Sequence, residues 1–302
     1  MKETLFFWEY LLFICCSLIL VSCDNSFQPL QENDTFFFSI QGYLDASADT
    51  QWVRVGTIRH TIDEPPDPDG IRVTLKDLES GETVVMRDSV FTTRNVLNYW
   101  TTMEIKHDQT YEITAQHTDG NTSRVTMTTP AELPDVHIIF QGGIGVQPGI
   151  RIWIDDAVEH IADLQSVWYV ILNPGTENQR RIFTFPLRNS LTHSFGFRGS
   201  YTTRVYWERE LAQIEQVVGV GTTISVVNRQ IFVAAGGPEW NDNISSIADL
   251  EYFLAGNASN VENGLGYVVG VSTQWFRQDT CFGPDGSNSA PCVPEERYWY
   301  KE

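Results

Sequence analysis

Turn-forming residues interrupt the first half of the chain so often that no long helix fits between them. "DEPPDPDG", "LESGE", "KHDQ" and "TDGN" divide it into short pieces: "WVRVGTIRH", "GIRVTLKDL", "ETVVMRDSV", "TTMEIKH" and "TYEITAQH". Proline fixes φ and lacks an N–H, while glycine and aspartate favour tight turns, so each interruption ends a regular element. The pieces are rich in Val, Ile, Thr and aromatic residues. In places they alternate polar with apolar side chains, the period of a strand with one wet face. Short strands at this spacing predict a two-sheet sandwich. "TTPAELPD", residues 128–135, carries two prolines and ends the pattern. The first domain is therefore placed at residues 35–130.

Residues 131–302 are also strand-rich, with "VHIIF", "IRIWI", "SVWYVIL", "RRIFTF", "TTRVYW", "TTISVVN", "IFVAA" and "GYVVGVS". Two helical candidates interrupt them: "WERELAQIEQVV", residues 207–218, and "SSIADLEYFLAG", residues 245–256, with Ser at its start and Gly256 as its stop. The expectation is a mainly β protein of two β-sandwich-like domains. The first is immunoglobulin- or transthyretin-like, and the second carries one or two short helices.

The amino terminus gives an address. Residues 11–20 form an apolar run too short to cross a hydrocarbon core of ~30 Å as a helix, and right for the core of a signal peptide. It ends in Leu20-Val21-Ser22-Cys23, which resembles a bacterial lipobox. In such signals the cysteine thiol takes the lipid, and cleavage before it makes that cysteine the first residue. The expectation is a signal peptide over residues 1–22, a lipid anchor on Cys23 and a polar tether over 23–34.

Removing Lys2, Glu3 and Glu9 with the signal leaves 19 basic and 37 acidic residues, a net charge of −18. Such a surface repels nucleic acid and anionic lipid headgroups, so the expected membrane contact is the anchor alone. Two cysteines remain besides Cys23. Cys281 and Cys292 bracket the turn-rich "FGPDGSNSAP". In an oxidising envelope compartment they read as a disulfide closing a surface loop. Two thiols without nearby histidines do not make a four-ligand zinc site.

Three phrases carry a resemblance. "TYEITAQHTDGNTSRVTMTTPAELP" resembles the end of the first domain in a family of Bacteroidota envelope lipoproteins known only as a domain of unknown function. That family shows a G-x-x-Y strand, a D-G turn and T-x-P leading out; Tyr111, Asp119-Gly120 and Thr129-Pro130 stand in those places. "GIRIWIDDAVEHIADLQSVWYVIL" resembles the opening of the family's second domain. The family's D-P turn and paired tyrosines are replaced here by Asp155-Asp156 and Trp168-Tyr169. "NASNVENGLGYVVGVS" resembles its N-x-x-N-G-x-G-aromatic signature. Members are often encoded beside TonB-dependent outer-membrane receptors. The resemblance implies a non-enzymatic accessory of such a receptor on the outer membrane or cell surface, with no cofactor and an unknown ligand.

Candidate chemistry is thin. Asp63, Glu64, Asp67 and Asp69 are hard oxygen donors suited to Ca²⁺, but their spacing is not that of an EF-hand, and a solvated loop between strands is the better reading. Asp155, Asp156, Glu159 and His160 would gather a cation on a helix, yet they lie between two strands and read as a turn. The histidines, His60, His107, His117, His137, His160 and His193, show no paired metal spacing. No nucleophile elbow and no H-E-x-x-H motif is present. Gly264 and Gly266 lack a phosphate loop's G-K-[ST] ending and read as a tight turn or bulge entering a strand. The alternatives to a binding accessory are an envelope glycan hydrolase, with an acid pair hidden among the carboxylates, and a surface adhesin. Nine tryptophans offer sugar-stacking surface. Trp240 and the terminal "YWYKE" are the expected exposed rings.

Overall fold

A computed structural model describes residues 36–58, 67–91, 96–133, 136–143, 146–155, 158–194, 200–241, 243–244, 247, 259–277, 280–282 and 288–291. The alternation in the first half is an alternation of inside and outside. Eight strands run β1 (Phe38–Asp45), β2 (Gln51–Thr57), β3 (Ile71–Asp77), β4 (Thr83–Val85), β5 (Arg87–Phe91), β6 (Val96–Thr101), β7 (Thr110–His117) and β8 (Thr122–Thr128). On β7 every second residue, Tyr111, Ile113 and Ala115, is buried; on β8 Ser123, Val125 and Met127 are. They face Phe38, Ile40, Val53, Val55, Leu97 and Tyr99 from the opposite sheet.

One sheet has the order β1-β2-β6-β5 and the other β8-β7-β3-β4. This is the immunoglobulin arrangement, strands A-B-E-D against G-F-C with a short extra strand beside C. A further hallmark is present: the Tyr111 hydroxyl, fully buried on β7, accepts a hydrogen bond from the Lys106 N–H, 2.8 Å away and five residues upstream. Asp119 and Gly120 (φ +96°) make the β7–β8 turn. Buried Thr129 donates to the carbonyls of Lys106 and Gln109, pinning the β6–β7 connection.

The second half continues with β9 (Val136–Gly143), β10 (Val146–Asp155), β11 (His160–Leu172), β12 (Gln179–Pro186), a 3₁₀ turn (Arg188–Ser190), β13 (Thr192–Ser194) and β14 (Ser200–Tyr206). Helix α1 (Trp207–Val218) follows, then β15 (Ile224–Gly236), β16 (Val261–Glu262), β17 (Gly264–Arg277), β18 (Thr280–Phe282) and β19 (Asn288–Pro291). Helix α1 spans the residues expected of it. Glu208 and Glu210 in its first turn suit the helix dipole, and Gly219 (φ +90°) ends it. The second helical candidate, 245–256, lies outside the described residues except for Ile247.

β17 links the halves. It pairs in parallel with β1 over Phe38–Asp45 and antiparallel with β15 through Gln230–Gly236. One eight-stranded sheet, β12-β11-β15-β17-β1-β2-β6-β5, therefore runs through both sandwiches. Val268 of β17 belongs to the first core, with Val261 of β16. Phe276, on the same face of β17, packs against the second core, built from Ile152, Leu164, Trp168, Ile214 and Val233. The odd residues Tyr267, Val269 and Val271 face the other way, under Trp240, Ile244 and Ile247. Pro130 thus follows the last strand of the first continuous segment, but the first core also draws β16 and β17 from the far end of the chain.

Residue types near the start of β17 follow from this crossing. The Asn260 side chain holds both backbone groups of Val268, donating to its carbonyl (2.6 Å) and accepting from its N–H (3.0 Å). A Cβ on Gly264 would sit 2.6 Å from the Phe38 carbonyl oxygen, and one on Gly266 (φ +125°) only 1.9 Å from that of Ile40. Both glycines serve close backbone approach at the entry to a strand.

Candidate functional site

The first half of the eight-stranded sheet shows its outer face to solvent, and registry orders that face into rows. Tyr43 stands opposite Trp52, Trp52 opposite Trp100, and Trp100 opposite Arg87. One step along the strands, Gln41 stands opposite Arg54, Arg54 opposite Asn98, and Asn98 opposite Ser89. An aromatic row thus lies beside a polar row. Trp52 is 44 % exposed, against 37 % for Tyr43 and 43 % for Phe91. The Trp52 and Trp100 rings stack at 5.8 Å and 28°. Phe91 meets Trp52 edge-on at 6.2 Å. The Arg87 guanidinium lies 5.1 Å over the Trp100 ring. A pocket of about 310 Å³ is lined by Gln41, Trp52, Arg54, Phe91 and Asn98, among others.

The β1–β2 turn holds one end of the aromatic row. Asp45 Oδ1 accepts from the N–H groups of Ser47 (2.9 Å) and Thr273 (3.2 Å), and Oδ2 from the Thr273 hydroxyl (2.6 Å). Gln51 accepts from the Asp45 N–H (2.8 Å) and donates to the carbonyls of Asp45 and Ala48. The turn between Tyr43 and Trp52 is thereby tied to β17.

Trp240 corrects the expectation of an exposed ring. It is 4 % exposed, packed among Ile244, Tyr267, Val269 and Val271. The core of this cluster fills with it, and the Arg188 guanidinium lies 5.7 Å from the centre of its ring. "YWYKE" lies outside the described residues. The exposed tryptophans among the described residues are Trp52, Trp153 and Trp275. Sequence reading passed over Trp52, although it occupies the outward phase of an alternating strand between buried Gln51 and Val53.

Of the acidic candidates, Asp63, Glu64 and Asp156 lie outside the described residues. Asp67 accepts from the Asp69 N–H (2.9 Å), an Asx turn before β3. Asp155 closes β10, and exposed Glu159 precedes β11, where its carboxylate is 3.9 Å from His160. Sequence spacing did not pair His160 with His193, yet both line a pocket of about 230 Å³ with Glu159. Among the described residues no three His, Cys, Asp or Glu side chains are placed to hold a metal ion. Cys23 and Cys292 lie outside the described residues; Cys281 is on β18, which pairs with β19.

Two carboxyls with raised pKa hold structure. Asp163, 1 % exposed, is pushed up to about 6 by burial, opposed by hydrogen bonds from the Ile247 N–H (3.2 Å) and Gln165 (2.7 Å). Burial also raises Glu210 and lowers Arg229, to about 10, while their mutual attraction opposes both shifts. Glu210 Oε2 accepts from Arg229 (2.7 Å), Trp168 Nε1 (2.7 Å) and Ser166 (3.1 Å). The guanidinium lies 5.1 Å from the centre of the Trp168 ring and 5.3 Å from that of Trp207. This cluster joins α1 to β11 and β15 inside the second sandwich.

No family model matches the chain, and no curated protein matches it. Solved structures similar to parts of it include a cytokine receptor complex, at 7 % identity over 66 % of this chain and 90 % of that one, TM-score 0.25. Another is the FN1–FN3 domains of chicken CNTN1, at 12 % identity over 65 % of this chain and 60 % of that one, TM-score 0.27. A third is a pullulanase from Anoxybacillus sp. LM18-11, at 9 % identity over 65 % of this chain and 24 % of that one, TM-score 0.22. Likenesses at this level carry no functional argument, and the fold assignment rests on strand order and register.

Proposed function

We propose that this chain is a lipid-anchored Bacteroidota envelope protein, on the outer membrane or cell surface, that binds a ligand or partner for a TonB-dependent receptor. The observation that carries the binding reading is the open sheet face, where Tyr43, Trp52 and Phe91 stand exposed on a rigid β scaffold. Tyrosine and tryptophan on such a face supply contact area at little loss of side-chain freedom, and arginine joins them at binding hot spots. Supporting the address are the apolar run and Leu20-Val21-Ser22-Cys23. No helix among the described residues is long and apolar enough to cross a membrane. Attachment in this reading is through the Cys23 lipid.

Two measurements test it. Mass spectrometry of the natively expressed protein is expected to find a diacylated amino-terminal Cys23, and Cys23→Ala to leave the membrane fraction. An unmodified Cys23 in the mature protein refutes the anchor. Affinity purification from detergent-solubilised envelopes is expected to bring down a TonB-dependent receptor, and recovery at background level refutes the partnership.

A further inference from the structure

We infer that the outer face of β1, β2, β6 and β5 takes a neutral oligosaccharide, an inference that rests on the binding reading above and names its ligand class. A pyranose ring has two kinds of surface. Its C–H groups make an apolar face, and its hydroxyls ring the edge. The sheet offers a counterpart to each: Tyr43 and Trp52 in one row, with Trp100 stacked on Trp52 and supporting it beneath Arg87, and Gln41, Arg54 and Asn98 in the next. Successive outward residues on a strand lie about 7 Å apart, so a sugar stacked on the first row sets its edge over the second. The pocket of about 310 Å³ contains both kinds of group. That volume is at the small end of ligand sites, roughly 300–1,000 Å³, which suits a sugar ring and not a folded domain.

Charge and pocket size argue against the other occupants. Nucleic-acid bases also stack on aromatic rings, but their phosphates would meet a chain of net charge −19. The same charge disfavours polyanionic glycans. Arginine beside aromatic rings also serves protein interfaces, so a folded partner is set apart from a sugar by the size of the pocket and not by Arg54 and Arg87.

The test is affinity electrophoresis of the full chain in detergent, in native gels cast with amylopectin, xyloglucan, glucomannan, galactomannan or mixed-linkage β-glucan. Polygalacturonate serves as the anionic control. At least one neutral polysaccharide is expected to retard the protein. Trp52→Ala and Trp100→Ala are each expected to weaken that binding about tenfold or more. Asn98→Ala weakens it through the polar row, and Trp153→Ala, on β10, leaves it unchanged. Circular dichroism and melting of each variant separate lost binding from lost folding. Retardation by none of the neutral polysaccharides overturns the assignment, as does retardation that survives both tryptophan substitutions. If those substitutions instead release a co-purified receptor while no polysaccharide binds, the sugar assignment falls and the binding reading stands. If neither readout moves, both fall.

Discussion

Replacing Asp163 by asparagine isolates the effect of burying one carboxylate. Asp163 sits on β11 with its Oδ2 holding the Ile247 N–H and the Gln165 amide. Its Oδ1 has no hydrogen-bond partner among the described residues. A folded-state pKa raised from 3.8 to about 6 makes this group's contribution most favourable below pH 3.8. That contribution is lost as pH rises through about 6. Moving a carboxyl this far costs about 3 kcal/mol once it is ionised. Asparagine keeps the shape and an acceptor for Ile247 but never ionises. It also gives up charge-assisted hydrogen bonds, so Asp163→Asn is expected to be more stable than wild type at pH 8 by roughly 1–3 kcal/mol. At pH 4 the advantage should vanish. Urea unfolding followed by tryptophan fluorescence at pH 4, 6 and 8 measures the difference, and subtracting the two proteins cancels the titration of every other group. A difference that stays constant from pH 4 to 8 refutes the reasoning.

Arg229→Met leaves Glu210 buried without its counter-charge and is expected to destabilise by about 3–5 kcal/mol, while Glu210→Gln combined with Arg229→Met recovers most of the loss. A double variant no better than the single one by urea unfolding shows that the cluster does not act as a pair. Gly266→Ala puts a methyl group 1.9 Å from the Ile40 carbonyl oxygen at φ +125°. It should lower stability by more than about 2 kcal/mol, whereas Gly81→Ala, in open space at φ +76°, should cost about 1 kcal/mol. Equal midpoint shifts would count against β17 crossing β1 at that glycine. A Cys281–Cys292 disulfide, proposed from sequence, should leave both thiols unlabelled in native protein without reductant, and its reduction should cost roughly 2–3 kcal/mol in the chain-entropy picture. Two readily alkylated thiols refute it.

What could be read from sequence was local. The alternation in "TYEITAQH" is the burial pattern of β7, and "WERELAQIEQVV" is helix α1, because period and end signals act within a few residues. Trp240 was misjudged because "GGPEWNDN" looks like an exposed turn, and only the apolar face of β17 beneath it shows otherwise. The aromatic row depended on pairing. Tyr43, Trp52 and Trp100 lie on three strands, and no spacing in the chain aligns them until register does. An aromatic in the outward phase of a strand is the signal that would have flagged Trp52. Gly264 and Gly266 read from sequence as a tight entry to a strand, and their backbone shows that close approach, whereas the hold of Asn260 on Val268 needs the fold to bring the two together.

The parallel ladder between β1 and β17 joins residues 226 positions apart, Phe38 with Gly264. A chain made from its amino end has all eight strands of the first sandwich long before this neighbour exists. Until then the outer edge of β1 is bare, with unpaired N–H and C=O groups open to any passing strand. Closing so long a loop is slow, so the interval is one in which misassembly competes. Completion of the amino-terminal sandwich is therefore timed by β16 and β17, made near the carboxyl end, and a nascent chain stalled short of β17 holds a half-finished domain that is a natural substrate for chaperones and proteases.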